Sequence, residues 1–458
     1  MKKIVVCIRQ GLDGEISPFD ASAYEAALRF KDAEVILLSM APLSAKDFLL
    51  NLTRLGAKKA VLLNDKAFAG ADTLATAYTL SLAIKKIKPD LVICGRQTLI
   101  GDTGQTGAML SAFLDIPLVT NVMGIEELAD DFLNLSTRSE GDFAVIYPAL
   151  ISVERIYTLR LPRLRSKLGE VEILSAEDIG ADVSLCGLSG SPTRVLESFE
   201  NKSGKRKCKF ITREELPSVI EASLKKVNES IDSMTKNGER LGGVCIIGEA
   251  PRGFAESISD DVTLIPLADA DKIIEEIKRL EPMAVLWGTD DRSKRLASIV
   301  AAKMRLGLCA DCTALSCEGG ELMMFRPALS GSVIAKIKST TRPAMATVRT
   351  ESSVGNDVIV ATGFGVKDKL NEVKAFAESI GAGFSASRKL VDNGYAPYDM
   401  QVGLTGKTVS PPVYIAVGIS GAVHHIVGMQ RSGTVIAINP DKDAPIFEYA
   451  DYGIVDNF

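Results

Sequence analysis

Near its start the chain reads KIVVCIRQGLDGEISPFDASAYEAALRFKDAEVILLS (3–39), and this stretch decides the fold. It holds a short apolar run, KIVVCI (3–8), then apolar residues at helical spacing in ASAYEAALRF (21–30), then a second apolar run, EVILLS (34–39). Short apolar runs are typical of strands buried on both faces, and a strand–helix–strand order predicts parallel strands joined by right-handed crossovers. The stretch therefore predicts an α/β fold.

The same alternation occurs three times along the chain. A second unit, which looks like a divergent copy of the first, begins at 243, and a third with glycine-rich turns begins near 352. Strands are predicted at 59–63, 91–95, 243–250, 263–269, 283–289, 357–365, 413–419 and 434–439, and helices at 45–56, 71–87, 269–280 and 291–306. We expect two similar doubly wound parallel-sheet domains plus a C-terminal Rossmann-like domain.

The predicted domain boundaries are 1–238, 239–350 and 351–458. The first domain ends in a connector rich in Gly, Ser and charge, residues 187–208, and in a helix at 212–236. That helix begins with a Thr-x-x-Glu capping pattern, which is typical of a helix N-terminus.

Length, charge and hydropathy exclude several classes of protein. A chain of 458 residues exceeds one hydrophobic core, and its net charge of −5 argues against binding to nucleic acid. Apolar runs all fall well short of the roughly 20 residues of a membrane-spanning helix, and the run after Lys3 is too short for a signal peptide. The sequence therefore predicts a cytoplasmic protein without a membrane span.

The eight cysteines lie mostly in apolar runs, where free cysteine packs as a small hydrophobe. Cys309 and Cys312 have the C-x-x-C spacing that also occurs in zinc and redox sites. A zinc site needs a second pair or nearby histidines, and only Cys317 is close. We therefore expect a structural role for this pair and no metal site, and no Ser-His-Asp arrangement stands out.

Polar turns concentrate in the last third of the chain. SASR (385–388), QVGLTGK (401–407) and GISGAVHH (418–425) each lie beside a predicted strand. Glycine turns and helix N-termini at such places present free backbone N–H groups, which suit phosphate. The only two histidines, His424 and His425, follow one of these turns. Alone, a histidine pair is more often a capping or surface feature, but its position beside a Ser-Gly turn favours a binding site.

These motifs resemble those of a known family, the electron-transfer flavoproteins. The run from SASRKLVDNGY (385–395) to EYADYGIV (448–455) resembles the FAD-binding domain of the α subunit, and GLCADCTAL (307–315), FRPALSGSVIAKI (325–337) and RPAMATVR (342–349) resemble its first domain. MKKIVVCIRQ (1–10), SPFDASAYEAALR (17–29), ICGRQTLIGDTGQTGAMLSAFLDIP (93–117) and GLSGSPT (187–193) resemble the β subunit. The resemblance covers almost the whole chain and implies a β subunit followed by an α subunit.

The resemblance implies FAD as cofactor and also implies which residues contact it. Ser387 and Arg388 match a Ser-Arg pair that contacts the flavin, and Thr405 matches a hydroxyl that donates toward flavin N5. Gln401, Gly406 and Lys407 belong to the same turn, Ser420 and Gly421 match a turn near the phosphates, His425 matches a histidine facing the flavin C2 carbonyl, and Asn439 matches a contact at the adenosine end. A donor or cation near the C2 carbonyl favours reduced flavin because negative charge collects there.

The β-like half implies a second nucleotide, either AMP or a second FAD. Asp102, Thr103, Gln105 and Thr106 match the turn that holds it, and Cys7 at the end of the first strand is placed in the same site. The form GDTGQTG (101–107) leans toward members that carry two flavins. Leu161 resembles the leucine by which the β subunit docks partner dehydrogenases. The alternative interpretation is that Leu161 and its basic neighbours form an ordinary solvated loop.

Several residues depart from the family pattern. Phe364 stands where the family has arginine, Leu404 and His424 replace glutamines, and Asn457 replaces an aspartate. The chain also stops at Phe458, without the closing helix of the α subunit. Because these changes cluster around the expected flavin, we predict a shifted flavin potential or weak FAD retention.

The resemblance implies an electron carrier rather than a stand-alone enzyme. Such a carrier accepts electrons from flavoprotein dehydrogenases, such as acyl-CoA dehydrogenases, and passes them to another redox partner. One alternative is a bifurcating module that oxidises NADH at a second FAD, and another is a non-redox nucleotide-binding protein with a degenerate flavin site. Residues 347–358, which contain Ser and Gly, are the predicted hinge before the FAD-binding domain.

Overall fold

The computed structural model describes residues 2–11, 14–97, 103–129, 132–138, 140–163, 165–200, 205–235, 238–328, 333–349, 357–397, 400–403, 409, 411–430 and 432–458. Within these residues the chain forms four β-sheets, of nine, four, seven and five strands. The α/β class with several parallel-sheet domains is confirmed. Among the described helices, none is long and apolar enough to cross a membrane.

The N-terminal unit builds the nine-stranded sheet. Its strands are β1 (Lys2–Cys7), β2 (Ala33–Met40), β3 (Lys59–Leu63), β4 (Leu91–Gly95), β5 (Leu118–Ala129), β6 (Phe132–Thr137), β7 (Asp142–Ile146), β8 (Ala149–Val153) and β9 (Glu170–Leu174), and its helices are α1 (Pro18–Arg29), α2 (Lys46–Thr53), α3 (Thr73–Ile87) and α4 (Thr106–Leu114). The strand order is β7-β6-β5-β8-β4-β1-β2-β3-β9, parallel from β5 to β9 and antiparallel from β5 to β7. The four predicted strands of this unit are confirmed to within one residue at each end.

Burial on both faces explains the continuous apolar runs. In β1, Ile4 and Val6 pack with Tyr24 of α1 in one core cluster, whereas Val5 packs with Leu80 of α3 in another. A parallel strand between two helical layers has no solvent-facing side, so its central positions are all apolar.

The next elements in the chain are β10 (Thr193–Glu200), β11 (Lys209–Phe210) and α5 (Leu216–Thr235). The backbone N–H of Thr212 donates to the Glu215 carboxylate at 2.7 Å just before α5, as the capping pattern predicts. We grouped this stretch with the N-terminal unit, but β10 pairs with residues 333–339 and β11 with residues 452–453. Its strands therefore join sheets formed by later residues, while the domain boundaries themselves stay a prediction.

The middle unit repeats the N-terminal architecture. Its elements are β12 (Val244–Ile247), α6 (Arg252–Ile258), β13 (Val262–Ile265), α7 (Ala270–Leu280), β14 (Ala284–Trp287), α8 (Asp291–Met304), β15 (Leu308–Cys312), β16 (Ala314–Glu318), β17 (Glu321–Ala328), β18 (Val333–Ser339) and β19 (Ala344–Val348). The parallel order β13-β12-β14-β19-β15 matches β2-β1-β4-β8-β5 strand for strand. The equivalent helices α4 and α8 pack together, and one hydrophobic cluster joins the two units.

The C-terminal unit is the seven-stranded sheet. Its elements are β20 (Val358–Thr362), α9 (Leu370–Ser379), β21 (Gly383–Ser387), α10 (Arg388–Asp392), β22 (Gln401–Val402), β23 (Val413–Val417), α11 (Val423–Met429), β24 (Thr434–Ile438) and β25 (Tyr452–Ile454). The order β11-β25-β24-β23-β20-β21-β22 is parallel throughout. The chain adds β21 and β22 on one side of β20, then crosses to place β23 on the other side. Such a switch point opens a crevice at the carboxyl ends of β20 and β23. Most of the predicted hinge, residues 350–356, lies outside the described residues.

Candidate functional site

The turns after β20 and β23 meet at the switch point with no room for side chains between them. The Gly363 N–H donates to the Val417 carbonyl at 2.7 Å. A Cβ added to Gly363 would lie 2.0 Å from the Gly418 carbonyl oxygen. The backbone itself therefore forms the floor of this crevice, as a site for a closely approaching dinucleotide requires.

His425, in the first turn of α11, is buried beside this crevice. Its Nε2 lies 2.9 Å from the Tyr414 hydroxyl, which comes from β23. Burial lowers the pKa of His425 to about 4, and the carbonyl of Val402 offsets this shift only in part. Burial also raises the pKa of Tyr414, so the phenol stays protonated. The imidazole is therefore neutral at pH 7, and a hydrogen bond from Tyr414 to Nε2 would place the ring proton on Nδ1.

Three buried polar atoms near this edge have no hydrogen bond of good geometry to a described residue. They are Nδ1 of His425, whose ring also lies near the Val402 carbonyl, and the hydroxyls of Ser385 and Ser387 in β21. A buried donor without a partner costs about 1–3 kcal/mol, so its persistence in a native site is explained when a ligand completes it. Together with the glycine floor, these atoms fit the polar groups of a dinucleotide such as FAD.

Arg388 lies next to Ser387 but on the surface. Its guanidinium pairs with the Asp392 carboxylate at 3.1 Å, one helical turn away, and both side chains are more than half exposed. Gln401, by contrast, is buried in β22. The Arg388 side chain is thus free to reorient toward a ligand at little cost, because exposed pairs of this kind contribute less than about 1 kcal/mol.

Asn439 holds the neighbouring turn together. Its Nδ2 donates to the Ile419 carbonyl at 2.9 Å, and its Oδ1 accepts from the Asp441 N–H at 2.9 Å. Next in the turn come Ser420, whose carbonyl accepts from the Ile446 N–H at 3.1 Å, and Gly421, with φ at +93°. The Asn439 side chain thus shapes the Ser420–Gly421 turn, and its contact with a ligand stays a prediction.

Four predicted contact residues, Thr405, Gly406, Lys407 and Asp102, lie outside the described residues, as does Leu404. The described residues therefore bring together Ser387, Arg388, Gln401, Ser420, Gly421 and His425 at one edge of the C-terminal sheet, with Asn439 behind the turn.

The N-terminal sheet has a second candidate site at the carboxyl ends of β1 and β4. Both polar atoms of the Gln105 side chain are buried, without a hydrogen bond to any described residue. Thr103 is half-buried, and Thr106 is the first residue of α4. A ligand that offers one donor and one acceptor would satisfy the Gln105 amide, which supports the predicted nucleotide turn.

Cys7 and Cys94 occupy the ends of these two strands. A hydrogen bond with the Cys7 thiol, together with burial, raises the pKa of Cys94 well above its usual value. Asp20 is buried beside them and accepts from the Arg9 N–H at 2.8 Å. Burial raises the pKa of Asp20 to about 7, although the N–H groups of Arg9 and Gly95 counteract the shift. A carboxyl and two thiols therefore form the base of this site.

The predicted docking residue Leu161 is 86% exposed. The preceding Arg160 makes a forked pair with the Glu25 carboxylate, with both N···O distances at 2.9 Å. Leu161 also borders a partly open cavity of about 540 Å³ that Leu28 and Phe30 help to line. A protruding leucine on an anchored base suits docking into a partner, although its exposure alone does not assign that role.

The C-x-x-C pair is buried: the Cys309 and Cys312 thiols contact each other inside the middle unit. Across the described ranges, no cluster of three or more His, Cys, Asp or Glu side chains is arranged to hold a metal.

Sequence reasoning missed Tyr414 and Asp20, although each carried a signal. Tyr414 is the one hydroxyl in the apolar strand VYIAV, and Asp20 lies in an otherwise apolar first helical turn.

Comparison with known proteins identifies the family. The profile described as "Electron transfer flavoprotein domain" matches residues 4–176 and 259–358, which is more than half of the chain. The profile described as "Electron transfer flavoprotein FAD-binding domain" matches residues 354–430.

Individual relatives match the two halves separately. The electron transfer flavoprotein subunit alpha of Thermoanaerobacterium thermosaccharolyticum is 38% identical over 52% of this chain and 89% of its own length. The subunit beta of Clostridium acetobutylicum is 41% identical over 42% of this chain and 78% of its own length. The caffeyl-CoA reductase–Etf complex subunit CarD of Acetobacterium woodii is 40% identical, again over 42% of this chain and 78% of its own length.

Proposed function

Because this chain belongs to the electron transfer flavoprotein family, as a β-like half followed by an α-like half, we propose that it carries electrons between redox partners. It would take them from a flavoprotein dehydrogenase, such as an acyl-CoA dehydrogenase, and pass them to a second partner. The observation that carries the proposal is the buried Ser387 hydroxyl, which has no hydrogen-bond partner among the described residues, together with the buried His425 ring beside the glycine floor of the C-terminal sheet.

The FAD-binding domain would bind the cofactor, and bound FAD would supply the redox chemistry by accepting and releasing electrons. The residues of the chain bind it and set its surroundings. Neutral His425 offers one buried hydrogen bond without a fixed charge, because burial keeps its pKa near 4. Arg388 provides positive charge from the rim. Ser420 and Gly421 would hold the phosphate end, with Thr405, Gly406 and Lys407 completing the flavin end.

Leu161 is the proposed contact for the donor dehydrogenase. An apolar anchor surrounded by Arg160, Arg163 and Arg165 has the composition of a small transient interface, with an apolar centre and a polar rim. CarD is by its name a subunit of a caffeyl-CoA reductase–Etf complex, which favours a partner that acts on CoA thioesters.

The N-terminal site is proposed to hold a second nucleotide, AMP or FAD. The unpartnered Gln105 amide supports a bound group there, with Thr103, Thr106 and the end of β1 at Cys7 around it. If that group is FAD, the chain is a candidate for electron bifurcation with NADH as the reductant. The similarity to CarD, a protein from a reductase complex, is the observation that keeps this second function in view.

One purification separates these functions. The full chain is expressed, its nucleotides are extracted and identified by mass, and its spectrum is recorded before and after addition of NADH. One FAD per chain, reduced by an acyl-CoA dehydrogenase with its substrate, supports the carrier. Two FAD and bleaching by NADH support bifurcation. A colourless chain that takes up no added FAD contradicts both and favours a nucleotide-binding protein whose flavin site has degenerated.

The substitutions Phe364, Leu404 and Asn457 are proposed to weaken FAD retention or shift its potential. This part of the proposal fails if the chain is purified with a full complement of FAD and an ordinary potential.

A further inference from the structure

A cluster of positive charge lies on an aromatic ring at the carboxyl edge of the C-terminal sheet. The Lys389 Nζ is 4.5 Å from the centroid of the Phe364 ring, and the Lys367 Nζ is 5.4 Å from it. Tyr395 packs edge-on against the same ring, with centroids 6.2 Å apart. We name Phe364, Lys367 and Lys389 the aromatic–lysine cluster.

The cluster lies where the chain leaves two neighbouring strands. Phe364 is the second residue after β20, and Lys389 is the second residue after β21. The turn that carries Phe364 is the same turn whose Gly363 forms the floor of the crevice with Gly418. The two lysines therefore stand at the rim of the switch point, which is where ligands bind in sheets of this kind.

The lysines of the cluster differ from other cations nearby in how they are held. Arg388 pairs with Asp392, and Lys374 on α9 lies 4.0 Å from the Glu378 carboxylate. Within the described part of the chain, no carboxylate pairs with Lys367 or Lys389. A carboxylate both orients and neutralises a lysine, whereas an aromatic face orients it and leaves its charge and its N–H donors for another anion.

We propose that Phe364 positions Lys389, with Lys367 beside it, to bind the phosphates of FAD. This inference rests on the proposed function, and it assigns phosphate binding to Lys389 and Lys367 and a positioning role to Phe364. A lysine ammonium is a compact point charge that suits a phosphate oxygen. The cluster and the backbone N–H groups of the glycine turns would together balance the charge of the pyrophosphate.

The affinity of the flavin-free full chain for FAD tests the role of Lys389. Quenching of FAD fluorescence is measured across a range of salt concentrations for the wild type and for Lys389→Gln. We expect Lys389→Gln to weaken FAD binding about tenfold, the size of one charge-assisted contact, and to flatten its salt dependence. The matched control Lys374→Gln, on α9 of the same unit, should leave both unchanged. Equal affinity in wild type and Lys389→Gln overturns the inference.

The reduction potential of the bound FAD separates phosphate from ring contact. A lysine at the phosphates leaves the potential of Lys389→Gln at the wild-type value, whereas a lysine at the isoalloxazine shifts it. The variant Arg388→Ala is measured for comparison. A shift in reduction potential for Lys389→Gln as large as the shift for Arg388→Ala overturns the assignment of Lys389 to the phosphates.

Phe364→Leu tests whether the ring acts through the lysine. It keeps the apolar bulk, removes the π face and should weaken FAD binding about threefold. Added to a chain that already carries Lys367→Gln and Lys389→Gln, Phe364→Leu should cost no further FAD affinity, because the ring then has no lysine to hold. Fully additive losses would show a merely structural phenylalanine and overturn the positioning role. If the wild type itself binds no FAD, the proposed function fails first, which is a distinguishable result.

Discussion

The two candidate sites occupy equivalent edges of similar sheets but arrange their charges differently. At the C-terminal edge, the groups facing the crevice are a neutral His425 and cations held by an aromatic ring. At the N-terminal edge, Asp20 is buried next to two thiols, and its pKa is raised to about 7. The C-terminal edge thus carries positive charge that is available to an anionic ligand, whereas the N-terminal edge is suited to neutral hydrogen-bonding groups.

The arginines near the N-terminal edge pair with carboxylates in an ion-pair network. Arg96 pairs with Glu154 at 3.2 Å, Glu154 with Arg138 at 2.9 Å, and Arg138 with Asp291 of the middle unit at 3.1 Å. Both arginines are thus already paired, and Arg138 also joins the first two units. A nucleotide at this edge would therefore depend on groups such as Gln105, Thr103 and Thr106, and its binding should depend less on salt than FAD binding at the other edge.

The largest expected effect comes from breaking the C-terminal edge alone with Gly421→Ala. A Cβ there would lie 2.2 Å from the Ile446 nitrogen, and φ is +93°. We expect a loss of about 4 kcal/mol in the stability of this unit, together with loss of FAD. Amide hydrogen exchange of β24 and FAD content are the measurements. Gly381→Ala is the control, with φ at +64° and open space around it. It should cost only about 1 kcal/mol, and an equal loss would contradict the clash.

The two edges should respond to pH in opposite directions. The pKa of His425 falls from 6.5 to about 4 on folding. The stability that neutral His425 contributes to the fold is therefore present above pH 6.5 and is lost as pH falls toward 4. The pKa of Asp20 rises from 3.8 to about 7 on folding. The stability that protonated Asp20 contributes to the fold is therefore present below pH 3.8 and is lost as pH rises through 7. The shift corresponds to about 3 kcal/mol for His425 and about 4 kcal/mol for Asp20.

Local hydrogen exchange, corrected for its intrinsic pH dependence, checks this contrast. Between pH 7.5 and 5, protection should fall around α11 and rise around α1. His425→Asn and Asp20→Asn should each abolish only their own trend. Parallel trends at the two edges would contradict the assignment of these groups.

Arg388→Ala should affect the flavin without affecting the fold. Its pair with Asp392 is exposed, so unfolding should change by less than about 0.5 kcal/mol. FAD affinity should fall about tenfold, and the reduced form should become less favoured. Arg279→Ala is the matched control, because Arg279 also forms an exposed pair one helical turn away, with Glu276. Wild-type flavin content and potential in Arg388→Ala would disprove its assigned role.

The smallest effect belongs to the N-terminal half. Leu161→Ala should raise the KM of an acyl-CoA dehydrogenase for this chain about fivefold, through loss of one apolar anchor, with kcat and FAD content unchanged. Leu43→Ala is the control, since Leu43 is also exposed, at 55% of its surface. If both variants behave alike, Leu161 is an ordinary surface residue.

Sequence patterns predicted the buried parallel strands well and the peripheral ones poorly. β3 and β4 were predicted at their observed bounds because a strand between two helical layers is a nearly continuous apolar run. β10 escaped prediction because it is an edge strand with exposed Val195 and Leu196 among charged residues, so it shows no apolar alternation. Its partner is more than a hundred residues away, and no local pattern encodes that pairing.

The candidate site shows the same division. Turn motifs located Ser387, Ser420 and His425, because glycine and hydroxyl residues at strand ends are visible in a sequence. The hydrogen bond between Tyr414 and His425, the paired state of Arg388 and the lysines on Phe364 depend on how separate strand ends come together. The sequence marks the loops, and packing determines which of their charges stay available.

The connector between the halves has a consequence for any movement of the C-terminal sheet. Because β10 belongs with β18, and β11 belongs with β25, the chain passes between the middle and C-terminal units after β10, after α5 and after β19. Three chain connections restrict rotation of the C-terminal unit far more than a single connection would. A protease that cleaves one of them leaves the unit held by the other two. Division of the chain into two polypeptides between β10 and β11 would leave α5 with the C-terminal piece, and the pieces could rejoin by strand addition at β18.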